Sequence, residues 1–595
     1  MSSAMQSATA TPRGRMPSSC TLLNHITKHG TSKPRRHLSC AATGGGRRDV
    51  LLGLGGAAFL LATSSSGDAA LAQPIQAPDL QNCHPPADLP ATAPNVDCCG
   101  PTHRKPSGAD GNITDFKLPA AKAPLRVRPA AHLADREYVA KYERAVALMK
   151  ALPADDPRSF AQQWRVHCAY CDGAYDQVGF PDLEVQVHNC WLFLPWHRLY
   201  LYFHERILGK LIGDDTFALP FWNWDAPAGM TLPPIYANKS SPLYDERRNP
   251  AHQPPFLMDL DYNGTDDTTV TSDQQIDQNL KIMYRQMVSG AKKPELFFGQ
   301  PYRQGDNPDP GPGNLENVPH GTIHFWTGDP RQPNGEDMGN FYSAARDPVF
   351  FAHHANVDRM WHLWRTRLRR STNTNADIRD PDWLDASFLF YDEDARLVRC
   401  RVRDALDTAA LRYAYQDVAL PWLNAKPVAV AKEESTSGAA AARAITATTA
   451  TALPARLDGT VSVVVARPET SRTAKRKAEA EEVLVVDGIE VADRFRFVKF
   501  DVFVNAASAA AATQSGGAAR CAGSVALAPH VVRGEGDDKS EKKGRDVVKT
   551  AARFGICDLL DDTGADGDGA IVVSLVPRAA GDTVTVGGVR IEYVK

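Results

Sequence analysis

The chain has 595 residues, more than one hydrophobic core normally organises, so its length indicates several domains. Its composition is that of an ordinary globular protein, with 43% hydrophobic and 23% charged residues. A formal net charge of −3 gives no support for nucleic-acid binding. No run of 18 or more apolar residues is present, so the sequence predicts no membrane-spanning segment in the mature protein.

The N-terminus carries two predicted targeting signals. Residues 1–46 are predicted to be a chloroplast transit peptide, because the first 48 residues contain eight Lys or Arg, many Ser, Thr and Ala, and no acidic residue. Residues 47–72 are predicted to be a twin-arginine signal, with a pair of arginines, the apolar run 50–62 and a small-x-small end. The two signals predict transfer into the thylakoid lumen, with a mature protein that starts near Gln73.

Residues 73–423 are predicted to form a mainly α-helical catalytic domain with a loop-rich periphery. Apolar residues recur there at helical spacing, and many of the 42 prolines punctuate the segments between them. The predicted helices are residues 133–152, 159–175, a helix that starts near Pro195 and ends near Leu211, 272–289, a helix around His320, and 348–369.

The C-terminal part of the chain changes character. Residues 424–455 are rich in Ala, Thr, Ser and Lys, which is typical of a flexible, cleavable linker. Residues 456–595 are predicted to form an all-β sandwich. Asp487-Gly488 is predicted to be a turn, and Gly587-Gly588 a hairpin within the last strand. The predicted strands are residues 461–465, 483–486, 495–504, 521–532, 571–576 and 584–594.

Two histidine clusters suggest a metal site. His320 and His324 lie four residues apart, so on a helix they share a face and can bind one metal ion. Either His353 or His354 is a candidate third ligand. Asp358 follows His354 by four residues, where its carboxylate could orient a histidine or pair with a basic group.

A second cluster upstream contains His167, His188 and His197. His188 and His197 are nine residues apart, which places them on opposite sides of a straight helix. Pro195 favours a helix start, so His188 is predicted to lie before the helix and His197 in its first turns. Sites built from imidazoles alone suit copper, zinc, iron or nickel. Two such sites facing each other in a four-helix bundle could share one O2 molecule.

Three motifs carry a resemblance to a known family. The sequence is similar to the plant polyphenol oxidases, the catechol oxidases of the type-3 copper (tyrosinase) family. The similarity extends to the N-terminal signals and to two motifs nearer the C-terminus, Asp382-Trp383-Leu384 and Lys499-Phe500-Asp501-Val502. The three copper motifs are HCAYC at 167–171, HNCWLFLPWHR at 188–198 and DPVFFAHHANVDR at 347–359.

The resemblance implies two copper ions and a role for each matching residue. Cys171 matches a cysteine that forms a thioether with His188, and Glu316 matches a glutamate that holds a water near the second copper. Phe341 matches a bulky gate residue that covers that copper. The implied ligands are His167, His188 and His197 for the first copper and His320, His324 and His354 for the second. The implied disulfides are Cys83–Cys99 and Cys98–Cys168.

Two positions depart from the family pattern. Cys190 replaces a small hydroxyl residue and is interpreted as a packing residue. Gly321 stands where an asparagine is associated with monophenol oxidation, and because glycine cannot orient a water, diphenol oxidation is favoured. By the resemblance His353 is not a ligand, and His204 is interpreted as a core histidine.

The resemblance implies oxidation of o-diphenols (catechols) to o-quinones with reduction of O2 to water. The protein is expected to be made as a latent proenzyme, in which the β-sandwich shields the copper site until a protease cuts the linker. Its expected partners are O2 and small phenols, and the sequence gives no indication of the oligomeric state. The alternatives are a monophenol-hydroxylating or chalcone-directed oxidase of the same family, a haemocyanin-like oxygen carrier and a zinc hydrolase.

Overall fold

The computed structural model describes residues 73–85, 92–93, 96–99, 113–369, 377–428, 451–506, 519–530 and 549–595. Both predicted targeting signals (1–72) and most of the predicted linker (429–450) lie outside the described residues. Within the described ranges, no helix combines the length and the apolar character that crossing a bilayer requires.

Helices dominate residues 113–369, as the apolar spacing predicts. They are α1 (Arg136–Ala151), α2 (Phe160–Cys171), α3 (Phe193–Ile212), α4 (Ser272–Tyr284), α5 (Pro294–Phe297), α6 (Thr322–Thr327), α7 (Phe341–Ala344) and α8 (Val349–Leu363), followed by α9 (Pro381–Asp385). Three of them continue into or follow wider turns, which span Arg285–Ser289, Glu316–Gly321 and Trp364–Leu368.

The helix boundaries follow from local sequence chemistry. The side chains of Asp135, Ser159 and Thr271 each accept a hydrogen bond from a backbone N–H in the first turn of α1, α2 and α4. Gly213 adopts a positive φ of 69° and ends α3. The predicted helix 159–175 is four residues too long, because Gly173, with a φ of 65°, follows the end of α2.

Short strands surround the helices. They are β1 (Thr114–Asp115), β2 (Arg126–Arg128), β3 (Asp176–Gln177), β4 (Phe180–Glu184), β5 (Ser387–Tyr391), β6 (Leu397–Arg401) and β7 (Tyr413–Tyr415). They form three small sheets, in the orders β1-β6-β5, β2-β7 and β3-β4. Trp383, in the Asp-Trp-Leu motif, is fully buried and donates its indole N–H to the carbonyl of Trp191.

The C-terminal part consists of two four-stranded antiparallel sheets and two short helices, α10 (Ala474–Glu479) and α11 (Cys557–Asp562). Their strands are β8 (Ala455–Arg456), β9 (Val461–Ala466), β10 (Glu481–Val491), β11 (Val498–Val504), β12 (Cys521–Leu527), β13 (Lys549–Gly555), β14 (Ala570–Ala579) and β15 (Val584–Val594). The sheet orders are β13-β10-β15-β8 and β12-β11-β14-β9. Residues of both sheets share one apolar core, for example Leu484 of the first and Val502 of the second.

Two predicted turns are wrong. Asp487-Gly488 and Gly587-Gly588 lie inside the long strands β10 and β15, opposite each other in one antiparallel ladder. Gly488 has a φ of 58° at an irregularity between β10 and β13, and a Cβ on it would lie 3.2 Å from Cα of Gly587. The glycines therefore permit a β-bulge and a close backbone approach instead of a chain reversal.

The C-terminal sheets pack directly on the helical part of the chain. Phe497 stacks on Phe325 with 4.0 Å between ring centroids. The buried Lys499, in the Lys-Phe-Asp-Val motif, has its Nζ 3.1 Å from Asp261 Oδ1 and 2.9 Å from Asp501 Oδ1. Ala526 of β12 donates its backbone N–H to Asn317 Oδ1 over 2.6 Å. This interface thus combines apolar contact with buried charge.

Both disulfides that the resemblance implies are present. Cys83 bonds to Cys99, and Cys98 bonds to Cys168 at the end of α2. Together they tie the N-terminal segment, which has little regular structure of its own, to a helix that carries His167.

A buried ion network connects β2, α3 and α8. The Asp358 carboxylate accepts hydrogen bonds from Arg128 and Arg198, and Glu205 pairs with Arg126 and Arg128 over 2.7 and 2.8 Å. Of the two roles predicted for Asp358, the structure shows pairing with a basic group. The neighbouring arginines hold the pKa of Asp358 below its ordinary value against the opposing effect of burial.

We predict that Asp358→Ala lowers the free energy of unfolding by about 3–5 kcal/mol, because it leaves buried arginine charge uncompensated. Urea unfolding of the copper-loaded protein measures the difference. Asp277→Ala is the matched control, since Asp277 forms an exposed pair with Lys281 on α4 and should change stability little. Equal effects of the two substitutions would contradict a structural role for the buried network.

Candidate dicopper site

Helices and one loop bring seven histidines to the middle of the helical part. His167 lies on α2, His197 in the second turn of α3, and His188 on the loop before α3, as Pro195 predicts. His320 lies in the wide turn Glu316–Gly321 and His324 on α6. The adjacent His353 and His354 lie on α8.

The first group comprises His167, His188 and His197. One ring nitrogen from each lies within 4.8 Å of the others, which is close enough for a shared metal ion. Their ring centroids are 5.0–5.8 Å apart. All three are buried, and this is the trio that the sequence predicts.

The second group comprises His320, His324, His353 and His354, whose ligand atoms also lie within 4.8 Å of one another. The Nε2 atoms of His324 and His354 are 3.2 Å apart. The His354 ring stacks on His197 of the first group at 4.3 Å, whereas His353 stacks on the other side against His320 at 5.4 Å. The position of His354 between the two groups favours it as the third ligand.

Backbone carbonyls fix the orientation of four of these imidazoles. Because a carbonyl oxygen can only accept, each Nδ1 atom must donate its proton, and Nε2 then keeps a free lone pair. The pairs are His167 with Phe341 (3.1 Å), His197 with Phe193 (2.8 Å), His320 with Glu316 (3.0 Å) and His324 with Met338 (2.8 Å).

Burial keeps these imidazoles neutral. It lowers the pKa of His197 to about 3 and that of His324 to about 4, and it lowers those of the other five as well. Among the described residues, the Nε2 atoms of His167, His197 and His320 have no hydrogen-bond partner. Buried, neutral imidazoles with inward lone pairs are the donor set that a pair of copper ions requires.

Aromatic rings enclose the two groups. Phe350 lies 4.2 Å from the ring of His354 and 4.8 Å from that of His167, and Phe193 lies 4.6 Å from His320. Phe341 stacks on His188 at 4.1 Å and lies 6.2 Å from His324, so it covers the first group more closely than the second. The enclosure restricts water and leaves Phe341 at the entrance.

Glu316 is buried beside both groups. Its Oε1 accepts the backbone N–H of Asn189, the neighbour of His188, over 2.6 Å, and its backbone carbonyl holds His320. Burial raises the pKa of Glu316 well above its ordinary value. One glutamate therefore connects a histidine segment of the first group to one of the second.

The C-terminal part covers this entrance. Residues 526–530, which we call the covering segment, follow β12 and contact both Asn317 and Phe341, whose backbone N–H donates to the carbonyl of Pro529 over 3.3 Å. A Cβ on Gly321 would lie 3.3 Å from the carbonyl oxygen of Ala526. Any larger residue at position 321 would therefore press on the covering segment.

Sequence reasoning missed a polar cluster at the same entrance. Asp309 Oδ2 lies 3.0 Å from Nε2 of His530 and 2.9 Å from Nη1 of Arg494, and Asp309 Oδ1 accepts from the side chain of Asn189 over 3.3 Å. These residues are separated by more than a hundred positions in sequence, so no local pattern indicates them.

Cys171 and Cys190 are both buried free thiols. Gln186 connects Cys171 to His188, because its amide donates to the carbonyl of Cys171 over 2.9 Å and accepts the backbone N–H of His188 over 2.9 Å. Cys190 Sγ lies 3.9 Å from the carbonyl oxygen of Gln186. His204 packs on Phe351 and bonds to Gln163, as a core histidine does.

Comparison with known proteins identifies the family. Residues 157–367 match the common central domain of tyrosinase, residues 377–428 the polyphenol oxidase middle domain, and residues 453–593 the chloroplastic polyphenol oxidase C-terminal domain. A chloroplastic polyphenol oxidase of Malus domestica is 51% identical over 94% of this chain and 94% of its own. The chain belongs to the plant polyphenol oxidase family. It is therefore an oxidoreductase, and its cofactor is a pair of copper ions.

Two other similar polyphenol oxidase relatives are named for more specialised reactions. The chloroplastic (+)-larreatricin hydroxylase of Larrea tridentata is 49% identical over 92% of this chain and 90% of its own. Aureusidin synthase of Antirrhinum majus is 50% identical over 87% of this chain and 89% of its own. Family membership alone therefore does not select one phenolic reaction.

Solved polyphenol oxidase structures share the fold. Latent apple tyrosinase is 54% identical, covers 81% of this chain and 100% of its own, and has a TM-score of 0.73. Grenache (Vitis vinifera) polyphenol oxidase is 56% identical, with a TM-score of 0.55, and covers 59% of this chain but 99% of its own. The second structure is of a chain little more than half as long as this one.

We predict that His324→Asn lowers bound copper from two ions to about one per chain, because the second group loses an inward Nε2. His204→Asn changes a buried histidine outside both groups and should keep both ions. His353→Asn should also keep both, if His354 is the third ligand. Copper analysis of the folded variants measures all three. Loss of an ion from His353→Asn with retention in His354→Asn would reverse that assignment.

Proposed function

We propose that the protein oxidises o-diphenols to o-quinones while O2 is reduced to water, with two diphenols oxidised per O2. The observation that carries the proposal is the meeting of two buried imidazole groups whose rings approach to 4.3 Å, in a four-helix bundle. Adjacent sites of this kind can hold two metals about 3–4 Å apart. The bound copper pair supplies the redox chemistry between the phenol and O2.

The chain's own residues give the reaction its setting. We propose His167, His188 and His197 as ligands of the first copper and His320, His324 and His354 as ligands of the second, with a thioether between Cys171 and His188. Phe341 is the gate that a phenol ring passes. Glu316 receives the phenolic proton, since it joins segments of both groups at the entrance. Gly321 leaves no side chain to orient a water, which favours diphenols.

The second candidate is a hydroxylating or otherwise specialised phenol oxidase of the same family. The names of the Larrea and Antirrhinum relatives support it. An oxygen carrier resembling haemocyanin is a more distant alternative with the same histidines. A zinc hydrolase is disfavoured, because neither histidine group includes a carboxylate ligand.

We further propose a latent proenzyme in the thylakoid lumen of the chloroplast. The supporting observations are the two predicted signals in residues 1–72, the chloroplastic names of the relatives, and the covering segment over the entrance. In this proposal residues 73–423 are the catalytic domain, 456–595 the shielding domain and 424–455 the linker that a protease cuts. Oxidation of phenols then begins when the shielding domain leaves.

Oxygen uptake tests the activity and its latency together. We expect the intact, copper-loaded chain to oxidise 4-methylcatechol slowly, and limited proteolysis to raise the rate by at least about tenfold, since Phe341 loses its cover. Tyramine and a chalcone, assayed in parallel, distinguish the specialised alternatives. A carrier oxidises none of the three, and equal rates before and after cleavage would contradict the proposed shielding.

We predict that Glu316→Gln lowers kcat on 4-methylcatechol by about 10²-fold or more while both copper ions remain bound, because the amide cannot take up a proton. Copper analysis and oxygen uptake of the cleaved enzyme measure both quantities. Glu295→Gln is the matched control, on an exposed position of α5. Unchanged kinetics in Glu316→Gln would remove the proposed role.

A further inference from the structure

The covering segment places positive charge on one carboxylate of the catalytic part. Asp309 is 2% exposed, and its Oδ2 contacts both the imidazole of His530 and the guanidinium of Arg494. Both partners belong to the C-terminal part. A buried carboxylate at the entrance of a site thus receives its two cationic partners from the part of the chain that shields it.

His530 carries that charge on an aromatic ring. Its Nδ1 lies 3.0 Å from the carbonyl oxygen of Ala528 and its Nε2 lies 3.0 Å from Asp309 Oδ2, so both nitrogens face acceptors and both are protonated. Its ring lies 5.4 Å from that of Phe341, which in turn stacks on His188. The chain therefore offers the entrance a ring against Phe341 and a cation against Asp309.

The position of Asp309 depends on the catalytic part alone. Its Oδ1 accepts from the side chain of Asn189, and the carbonyl of Asn189 accepts the backbone N–H of Gly311 over 2.9 Å. Asp309 has a φ of 63° and Asn189 a φ of 54°, a region that Asp and Asn tolerate. Asn189 is in turn bonded to Glu316. The carboxylate thus remains at the entrance when the C-terminal part leaves.

Charge around the entrance also changes in one direction. A small cavity at this contact is lined by Asp309 and Asn189 from the catalytic part and by Arg494, Arg496 and His530 from the C-terminal part. Departure of the C-terminal part removes all three basic residues and leaves Asp309 with the nearby Glu316. The exposed entrance is then selectively attractive to cations.

We propose that Asp309 is a specificity-determining residue that binds the ammonium group of amine-bearing catechols in the cleaved enzyme. His530 and Arg494 occupy the place of such a substrate in the intact chain. The inference rests on the proposed oxidation of o-diphenols and narrows it to a substrate class. Phenols with a carboxylate side chain are disfavoured by the same charge.

The test compares three catechols that differ in side-chain charge: dopamine, 4-methylcatechol and 3,4-dihydroxyhydrocinnamic acid. The copper-loaded full chain is folded first and then cut in the linker, and kcat/KM is measured at pH 6. The Grenache structure, of about the length of the catalytic part, supports the use of a shortened enzyme. Each charged substrate is expressed as a ratio to the neutral one, so that losses common to all cancel.

We expect Asp309→Asn to lower the dopamine ratio by about threefold to tenfold, the size of one partly exposed charged contact, and to raise the ratio for the acid. Asparagine keeps the shape of the side chain and tolerates the positive φ. Asp306→Asn, three residues earlier on the same loop at an exposed position, is the matched control and should change neither ratio.

A second measurement needs no variant. If Asp309 binds the ammonium group, raising the ionic strength from about 0.02 M to 0.3 M lowers the dopamine ratio of the wild-type enzyme and raises the acid ratio. Ratios that respond neither to salt nor to Asp309→Asn would overturn the inference while leaving catechol oxidation intact. Failure to oxidise 4-methylcatechol would instead reject the proposed function and this inference with it.

Discussion

The site depends on hydrogen bonds from imidazole Nδ1 atoms to backbone carbonyls. Four histidines donate in this way, and each bond sets both the tautomer and the direction of the opposite nitrogen. Because the acceptors belong to the backbone, the positions of the helices directly determine where the lone pairs point. Burial then keeps the rings neutral, so that the lone pairs remain available for metal.

Fixing the backbone therefore becomes the main task of the surrounding structure. The Asp358 and Glu205 ion network joins β2, α3 and α8, two of which carry histidines of different groups. The Cys98–Cys168 disulfide fastens the end of α2 next to His167. Glu316 connects the loop after His188 to the turn that holds His320. Each of these contacts restrains one histidine segment relative to another, which a two-metal site requires.

The same entrance also joins catalysis to the C-terminal sheets. Lys499 and Asp501 of β11 meet Asp261 in a buried cluster, while the covering segment reaches Asn317 and Phe341. Buried charge is costly unless every partner is present, so this interface favours one exact arrangement. Its polar character is also consistent with an interface that separates without exposing a large apolar surface.

Sequence predicted the elements whose signals are local. Helical spacing indicated α1, α2, α3, α4 and α8, and the histidine spacing together with Pro195 indicated both groups. β13 was missed because its buried side chains, Thr550, Ala552 and Phe554, are mostly small and give a weak alternating pattern. The glycine pairs in β10 and β15 were mistaken for turns, since turns and facing bulges share the same residues.

The remaining features of the site arise only from contacts between distant segments. Asp309, Asn189 and His530 come together in the fold, and no spacing in the sequence relates them. The pairing of Asp358 with arginines likewise depends on β2, more than 200 residues earlier in the chain. Side chains whose partners lie this far away become interpretable only when the structure brings them together.

Anomalous X-ray diffraction at the copper absorption edge, on crystals of the copper-loaded full chain, tests the central claim most directly. The account predicts two copper peaks about 3–4 Å apart, each about 2 Å from the Nε2 atoms of three histidines. One peak would come from the group on α2, α3 and the preceding loop, and the other from His320, His324 and His354. A single peak, or two peaks too distant to share one O2, would contradict it.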